Sequence, residues 1–96
     1  MKFSPGIVQL NEADNVCLCA RSIKAAEELF ICGKPVVAAV NLGIGHKLAI
    51  RPIRQGEPVI KYGIVIGVAT ADIDTGDHVH THNIKSNYIP TYLIHN

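Results

Sequence analysis

The stretch Asp77-His78-Val79-His80-Thr81-His82-Asn83 sets three of the chain's five histidines at i, i+2 and i+4. On a strand these side chains share one face, with neighbours about 7 Å apart at a rise of ~3.3 Å per residue. Two neighbouring imidazoles at that separation can share a metal ion. The outer pair, roughly 13 Å apart, cannot do so unless the strand bends. A divalent ion would therefore take His78 with His80, or His80 with His82. Imidazole nitrogen suits Fe, Mn, Zn, Ni and Cu alike, so ligand type does not select the metal. Two ligands are too few for a closed site. The others must come from His46, from acids or from another chain. The competing structural reading is a strand whose solvent face is rich in His; the rarity of alternate His runs and the polar anchor of Asn83 favour a functional one.

Gly43-Ile44-Gly45-His46-Lys47 is the second candidate. Two glycines allow close backbone approach to a ligand. His46 offers a proton-transfer group and Lys47 a fixed positive charge, a pairing suited to a carboxylate substrate. The structural alternative is a Gly turn with exposed polar residues. In Lys61-Tyr62-Gly63, Lys61 can pair with a carboxylate and Tyr62 can donate a hydrogen bond; an edge-strand Lys and a packed Tyr is the plainer reading. Gly67 and Ala69 read as packing residues. Cys17 and Cys19 form a Cys-x-Cys, not the Cys-x-x-Cys of a zinc ribbon, and read as small buried hydrophobes. His95 reads as a tail residue. No Ser/His/Asp order, phosphate loop or dinucleotide fingerprint appears, and the acids are too scattered for a paired-carboxylate mechanism.

The elements that must position these groups are short. Ninety-six residues make one domain. With no Trp and two Phe the core must be aliphatic. Its apolar residues are mostly β-branched, in runs such as Val36-Val37 and Ile64-Val65-Ile66, broken by Gly or Pro. This pattern predicts strands over 5–9, 15–20, 28–32, 35–40, 48–50, 58–62, 65–66 and 77–81, a mostly β fold. Ser22–Ile31 has helical propensity, but a repeat argues for another form. Ile23-Lys24-Ala25-Ala26-Glu27-Glu28-Leu29, Ile53-Arg54-Gln55-Gly56-Glu57-Pro58-Val59 and Ile73-Asp74-Thr75-Gly76-Asp77-His78-Val79 share one design. Each has Ile, two variable residues, Gly or Ala, an acid, one residue, then Leu or Val. A buried Ile, a tight turn at the small residue and a re-entering strand fit all three, with at most one or two short helical turns. Gly33-Lys34 is then the two-residue turn joining 28–32 to 35–40.

Nine Lys+Arg against eight Asp+Glu leave a charge of +1, which is no footprint for nucleic acid or anionic lipid. No window is apolar for the length of a membrane span. The N-terminal Met1-Lys2-Phe3-Ser4-Pro5-Gly6 does not read as a signal peptide, so the expected address is the cytoplasm. Short strands leave edges to cover, and a homo-oligomer is one way to cover them.

The run from Gly45 to Asn83, GHKLAIRPIRQGEPVIKYGIVIGVATADIDTGDHVHTHN, resembles the N-terminal SAF domain of the altronate and galactarate dehydratase family. The motifs that carry the resemblance are Gly45-His46-Lys47, Lys61-Tyr62-Gly63 with Ile66-Gly67-x-Ala69, and Gly76 to Asn83. It extends upstream to about Asn15, with 84–96 a C-terminal tail. The resemblance implies a single β-clip domain over 1–96, acting as a separately encoded small subunit beside a large catalytic dehydratase subunit. The sulfolactate sulfo-lyase is a two-subunit member of this kind. The implied reaction eliminates water or sulfite from a 2-hydroxy acid such as altronate, galactarate or sulfolactate. It implies a divalent metal, Fe2+ or alternatively Mn2+. Under it His46 transfers a proton and Lys47 binds the carboxylate. Lys61, Tyr62 and Asn83 orient the substrate, and His78, His80 and His82 hold or approach the metal. The rival reading is a non-catalytic carbohydrate-binding or assembly module.

Overall fold

The structure, a computed structural model, describes residues 2–86. Those residues form strands and turns, without a helix among them. The strands are β1 (Ile7–Val8), β2 (Val16–Cys19), β3 (Glu28–Ile31), β4 (Lys34–Val37), β5 (Lys47–Ala49), β6 (Pro58–Lys61), β7 (Ile64–Ala69), β8 (His78–Val79) and β9 (Ile84–Ser86). A four-stranded antiparallel sheet has the order β1-β2-β5-β8. The β3–β4 hairpin is a second sheet, and β6-β7-β9 a third.

The repeated corner is the unit of construction. At Ala26, Gly56 and Gly76 the backbone turns left-handed, with φ of 72°, 87° and 87°. In each copy that residue's N–H donates across the chain, to the carbonyls of Ala38, Ala69 and Ala49 at 2.7–2.8 Å. The same three alanines donate back to the carbonyls of Glu27, Glu57 and Asp77. These cross-chain bonds draw off the N–H groups that would otherwise continue a helix, which is why the helical propensity of Ser22–Ile31 is not realised. The acid's carboxylate accepts from the N–H three residues earlier: Lys24, Arg54 and Asp74 at 3.3, 2.6 and 2.9 Å.

There is a fourth copy. Leu42-Gly43-Ile44-Gly45-His46-Lys47-Leu48 turns at Gly45, whose φ is 87°. Gly45 donates to Cys19 O, and Cys19 donates back to His46 O. The corners pair through bridges Ile23↔Leu42 and Ile53↔Ile73. The chain is therefore an internal duplication. Strand, corner, hairpin, corner, strand runs from β2 to β5 and again from β5 to β8. Ile23 to Ile53 spans 30 residues and Leu42 to Ile73 spans 31. The extra residue is a bulge in β7: Val59 pairs Gly67 while Ile60 pairs Val65, which leaves Ile66 over.

Each half builds its own core. Ile23, Leu29, Ile31, Leu42 and Leu48 pack with Cys17 and Cys19. Ile53, Val59, Ile73 and Val79 pack with Val16, Ala49 and Ala69. Alternate residues of β2 and β5 point to opposite cores, so the central sheet separates the two clusters. Each buried Ile contributes about 1.5–3 kcal/mol.

Several boundaries differ from the sequence reading. The hairpin turn is Cys32-Gly33, not Gly33-Lys34, because Lys34 already pairs with Ile31. Both turn residues have positive φ, the type I′ geometry that follows strand twist. β7 runs from Ile64, and Ile84–Ser86 is a strand on β7 where a tail was expected. Gly67 permits that strand: a Cβ there would collide with the Lys85 carbonyl. Residues 87–96, including His95, lie outside the described residues.

Candidate functional site

The fourth corner explains where His46 points. Three corners carry an acid at this position, and each acid caps its own turn. Here the position holds His46, and among the described residues no side chain caps the Gly43 N–H. The imidazole is turned instead toward β8, with its Nδ1 3.1 Å from Nε2 of His78. One of these nitrogens must donate and the other accept, the tautomer deciding which. The ring centroids lie 4.9 Å apart with planes 10° from parallel.

The three histidines of 78–82 are not on one continuous strand. β8 ends at Val79, and the chain turns there, with the N–H groups of Asn83 and Ile84 both donating to His80 O at 3.0 Å. The turn compresses the spacing expected of an extended strand. His80 lies 5.5 Å and His82 5.6 Å from His78 between ring centroids, and His80 is 6.2 Å from His46. Leu48 pairs with His78 in the β5–β8 ladder, so the corner that carries His46 runs directly into the strand that holds its partner.

The electrostatics favour a neutral His78. Burial lowers its pKa first, and His46, His80, His82 and Lys47 lower it further. Lys47 follows on the same corner. Its pKa is lowered by burial and then by Lys61, so the structure brings both lysines into one positive field. Tyr62 stands 67 % exposed at the β6–β7 turn with φ of 56°. Among the described residues no hydrogen bond or ring contact joins it to the histidines. Asn83 is anchored to the backbone on either side of Val79. Its Nδ2 donates to His78 O at 2.8 Å and its Oδ1 accepts from His80 N at 2.9 Å, which uses both polar atoms on the backbone.

A cavity of about 340 Å³ opens beside the cluster, lined by Leu42, Leu48, Asp77, His78, His82 and Asn83. It gives the histidines a concave, half-apolar face large enough for a small acid. Asp77 reaches this wall as the acid of its corner, a placement the sequence reading did not assign. The pairing of His46 with His78 was equally hidden, although the signal was present: Leu42-x-x-Gly45-His46-x-Leu48 has the corner pattern with His in place of the acid.

His78, His80 and His82 do not form a three-ligand set here. Among the described residues no three His, Cys, Asp or Glu side chains converge on one metal position. The bond to His46 occupies His78 Nε2, whereas the imidazoles of His80 and His82 have no hydrogen-bond partner among the described residues. Each of these exposed rings offers a nitrogen of a kind that divalent ions accept, with further ligands needed from outside this chain. Cys17 and Cys19 lie buried on one face of β2 and belong to the core.

The model of the altronate/galactarate dehydratase SAF domain matches residues 5–87, beginning upstream of the Asn15 limit expected from the motifs. The chain is 36 % identical over 80 residues to the altronate dehydratase of Bacillus subtilis (strain 168), covering 83 % of this chain and 16 % of that protein. It is 43 % identical over 51 residues to the (2R)-sulfolactate sulfo-lyase subunit alpha of Paracoccus pantotrophus, covering 53 % of this chain and 76 % of that subunit. Over 43 residues it is 54 % identical to the same subunit of Chromohalobacter salexigens, covering 45 % of this chain and 46 % of that one. The chain thus spans about a sixth of the length of the altronate dehydratase it matches.

Proposed function

This chain belongs to the altronate/galactarate dehydratase SAF-domain family, and we propose that it serves as the small subunit of a lyase acting on a 2-hydroxy acid. The reaction is a β-elimination. A base takes the proton from the carbon that bears the carboxylate. The electron pair of that C–H bond forms a C=C bond, and the neighbouring carbon loses either hydroxide, which takes a proton from an acid group of the assembly and departs as water, or sulfite, in each case with the pair of the broken bond. The resulting enol then becomes the keto acid.

The observation that carries this reading is the His46–His78 pair, 3.1 Å apart, whose His78 lines the cavity. His78 is kept neutral by burial. Its bond to Nδ1 orients His46 and leaves His46 Nε2 to take the substrate proton. Lys47 and Lys61 supply positive charge for the carboxylate, and for the enolate-like charge that grows as the proton leaves. A divalent ion, Fe2+ or Mn2+, would be met from this chain by His80 or His82 and would supply Lewis-acid help to the leaving group. Too few groups converge here for turnover by this chain alone, so a large catalytic subunit supplies the rest.

The test is isolation of the native assembly, with metal analysis and elimination assays on altronate, galactarate and sulfolactate. A large partner, bound iron or manganese, and keto-acid or sulfite production are expected. His46→Ala should lower turnover by about 10²- to 10⁴-fold with assembly preserved. A lone chain without partner, metal or turnover would overturn the proposal and favour a carbohydrate-binding module.

A further inference from the structure

We propose that Asn83 is the positioning residue of the histidine cluster, its side-chain amide acting as a one-residue strand on the open edge of β8. The inference rests on the reading of the His46–His78 pair given above. β8 is two residues long and sits at the end of the four-stranded sheet. Its ladder to β5 consists of the pairs Lys47↔Val79 and Leu48↔His78. So short an edge strand frays easily. Asn83 closes the other side. It donates to the carbonyl of His78 and accepts from the N–H of His80, the i and i+2 groups that a neighbouring strand would pair. Its own carbonyl accepts from Thr70 N at 2.9 Å, which ties the clamp to the end of β7. At 9 % exposure the amide is shielded from competing water.

The molecule holds an internal control. Asn15, also buried, makes the same two bonds elsewhere: Nδ2 donates to Pro58 O at 2.8 Å and Oδ1 accepts from Ile60 N at 2.7 Å. That clamp holds the bulged β6–β7 hairpin and touches no histidine. Two Asn clamps of like geometry therefore differ in what they hold. One holds a hairpin, and the other fixes the backbone on both sides of Val79, which sets the directions of His78 and His80.

The experiment is nitrogen NMR of the metal-free full chain labelled at histidine, read as the shifts of His46 Nδ1 and His78 Nε2 and the solvent exchange of the shared imidazole proton. The wild type should show one donor and one acceptor nitrogen. In Asn83→Ala that signature should vanish, or its proton should exchange faster by about tenfold, the factor expected for losing one good hydrogen bond. Asn15→Ala should lower the melting temperature and leave the signature intact. If Asn83→Ala fails to fold, Asn83→Ser, which can keep one of the two bonds, should weaken the signature. The proposal is overturned if the wild type lacks the signature, if the Asn83 variants keep it unchanged, or if Asn15→Ala abolishes it equally. None of these readouts needs turnover. A wild type with the signature but no lyase activity in its assembly would refute the functional reading and leave the positioning role standing.

Discussion

Replacing His46 by Glu separates what the fourth corner needs for stability from what the site needs for chemistry. At the equivalent position Glu57 accepts from Arg54 N at 2.6 Å and Asp77 from Asp74 N at 2.9 Å. In the fourth corner the matching donor is Gly43 N–H, which His46 leaves uncapped because its ring faces His78. His46→Ala loses the bond to His78, about 1 kcal/mol for a neutral pair, and gains nothing. His46→Glu loses the same bond but can cap Gly43, and a turn cap of this kind contributes about 0.5–2 kcal/mol. The Glu variant should therefore be about 1 kcal/mol more stable than the Ala variant, about 4–8 °C in melting temperature for a domain of this size. Both should lose about 10²- to 10⁴-fold in turnover within the assembly, the usual contribution of a positioned proton-transfer group. Thermal unfolding of the two variants and an elimination assay read both effects. A Glu variant no more stable than Ala would refute the equivalence of the four corners. A Glu variant that keeps wild-type turnover would refute the proton-transfer role.

Three other perturbations probe the frame. Ala26 holds the left-handed corner position that glycine holds in the other copies, so Ala26→Gly should relieve about 1 kcal/mol of strain and raise the melting temperature. Gly67→Ala should push β9 off β7, because the new methyl meets the Lys85 carbonyl; hydrogen exchange at Ile84 to Ser86 should rise while β1 and β2 stay protected. The Cys17 thiol is pushed up from an ordinary 9.0 to about 12, chiefly by burial and then by Cys19. The fold thus favours the protonated thiol, and its contribution to stability is full below pH 9 and lost as pH rises from 9 toward 12. Alkylation of the native chain at pH 8 should label exposed Cys32 and spare Cys17; rapid labelling of Cys17 would show that β2 opens.

Much of this was legible in residue order. β-branched pairs broken by Gly and Pro dictate short strands, since neither a helix nor a long strand tolerates that punctuation. Three of the four corners are readable because a small residue, an acid and a flanking apolar pair answer a local demand: a left-handed turn capped by its own side chain between two core anchors. The motifs at 45–47, 61–63 and 76–83 likewise carried the family. Other features depended on contacts distant in sequence. Whether His78 and His82 stand extended or folded toward each other depends on the N–H groups of Asn83 and Ile84 reaching His80 O, and on Thr70 receiving Asn83. That Asn83 holds the backbone is seen only when its amide is found bonded to two main-chain atoms. The meeting of His46 with His78, 32 residues on, follows from a duplication that lays β5 against both β2 and β8. A local pattern can specify a corner, but which corners face one another is decided by long-range pairing, and that pairing brings the imidazoles together.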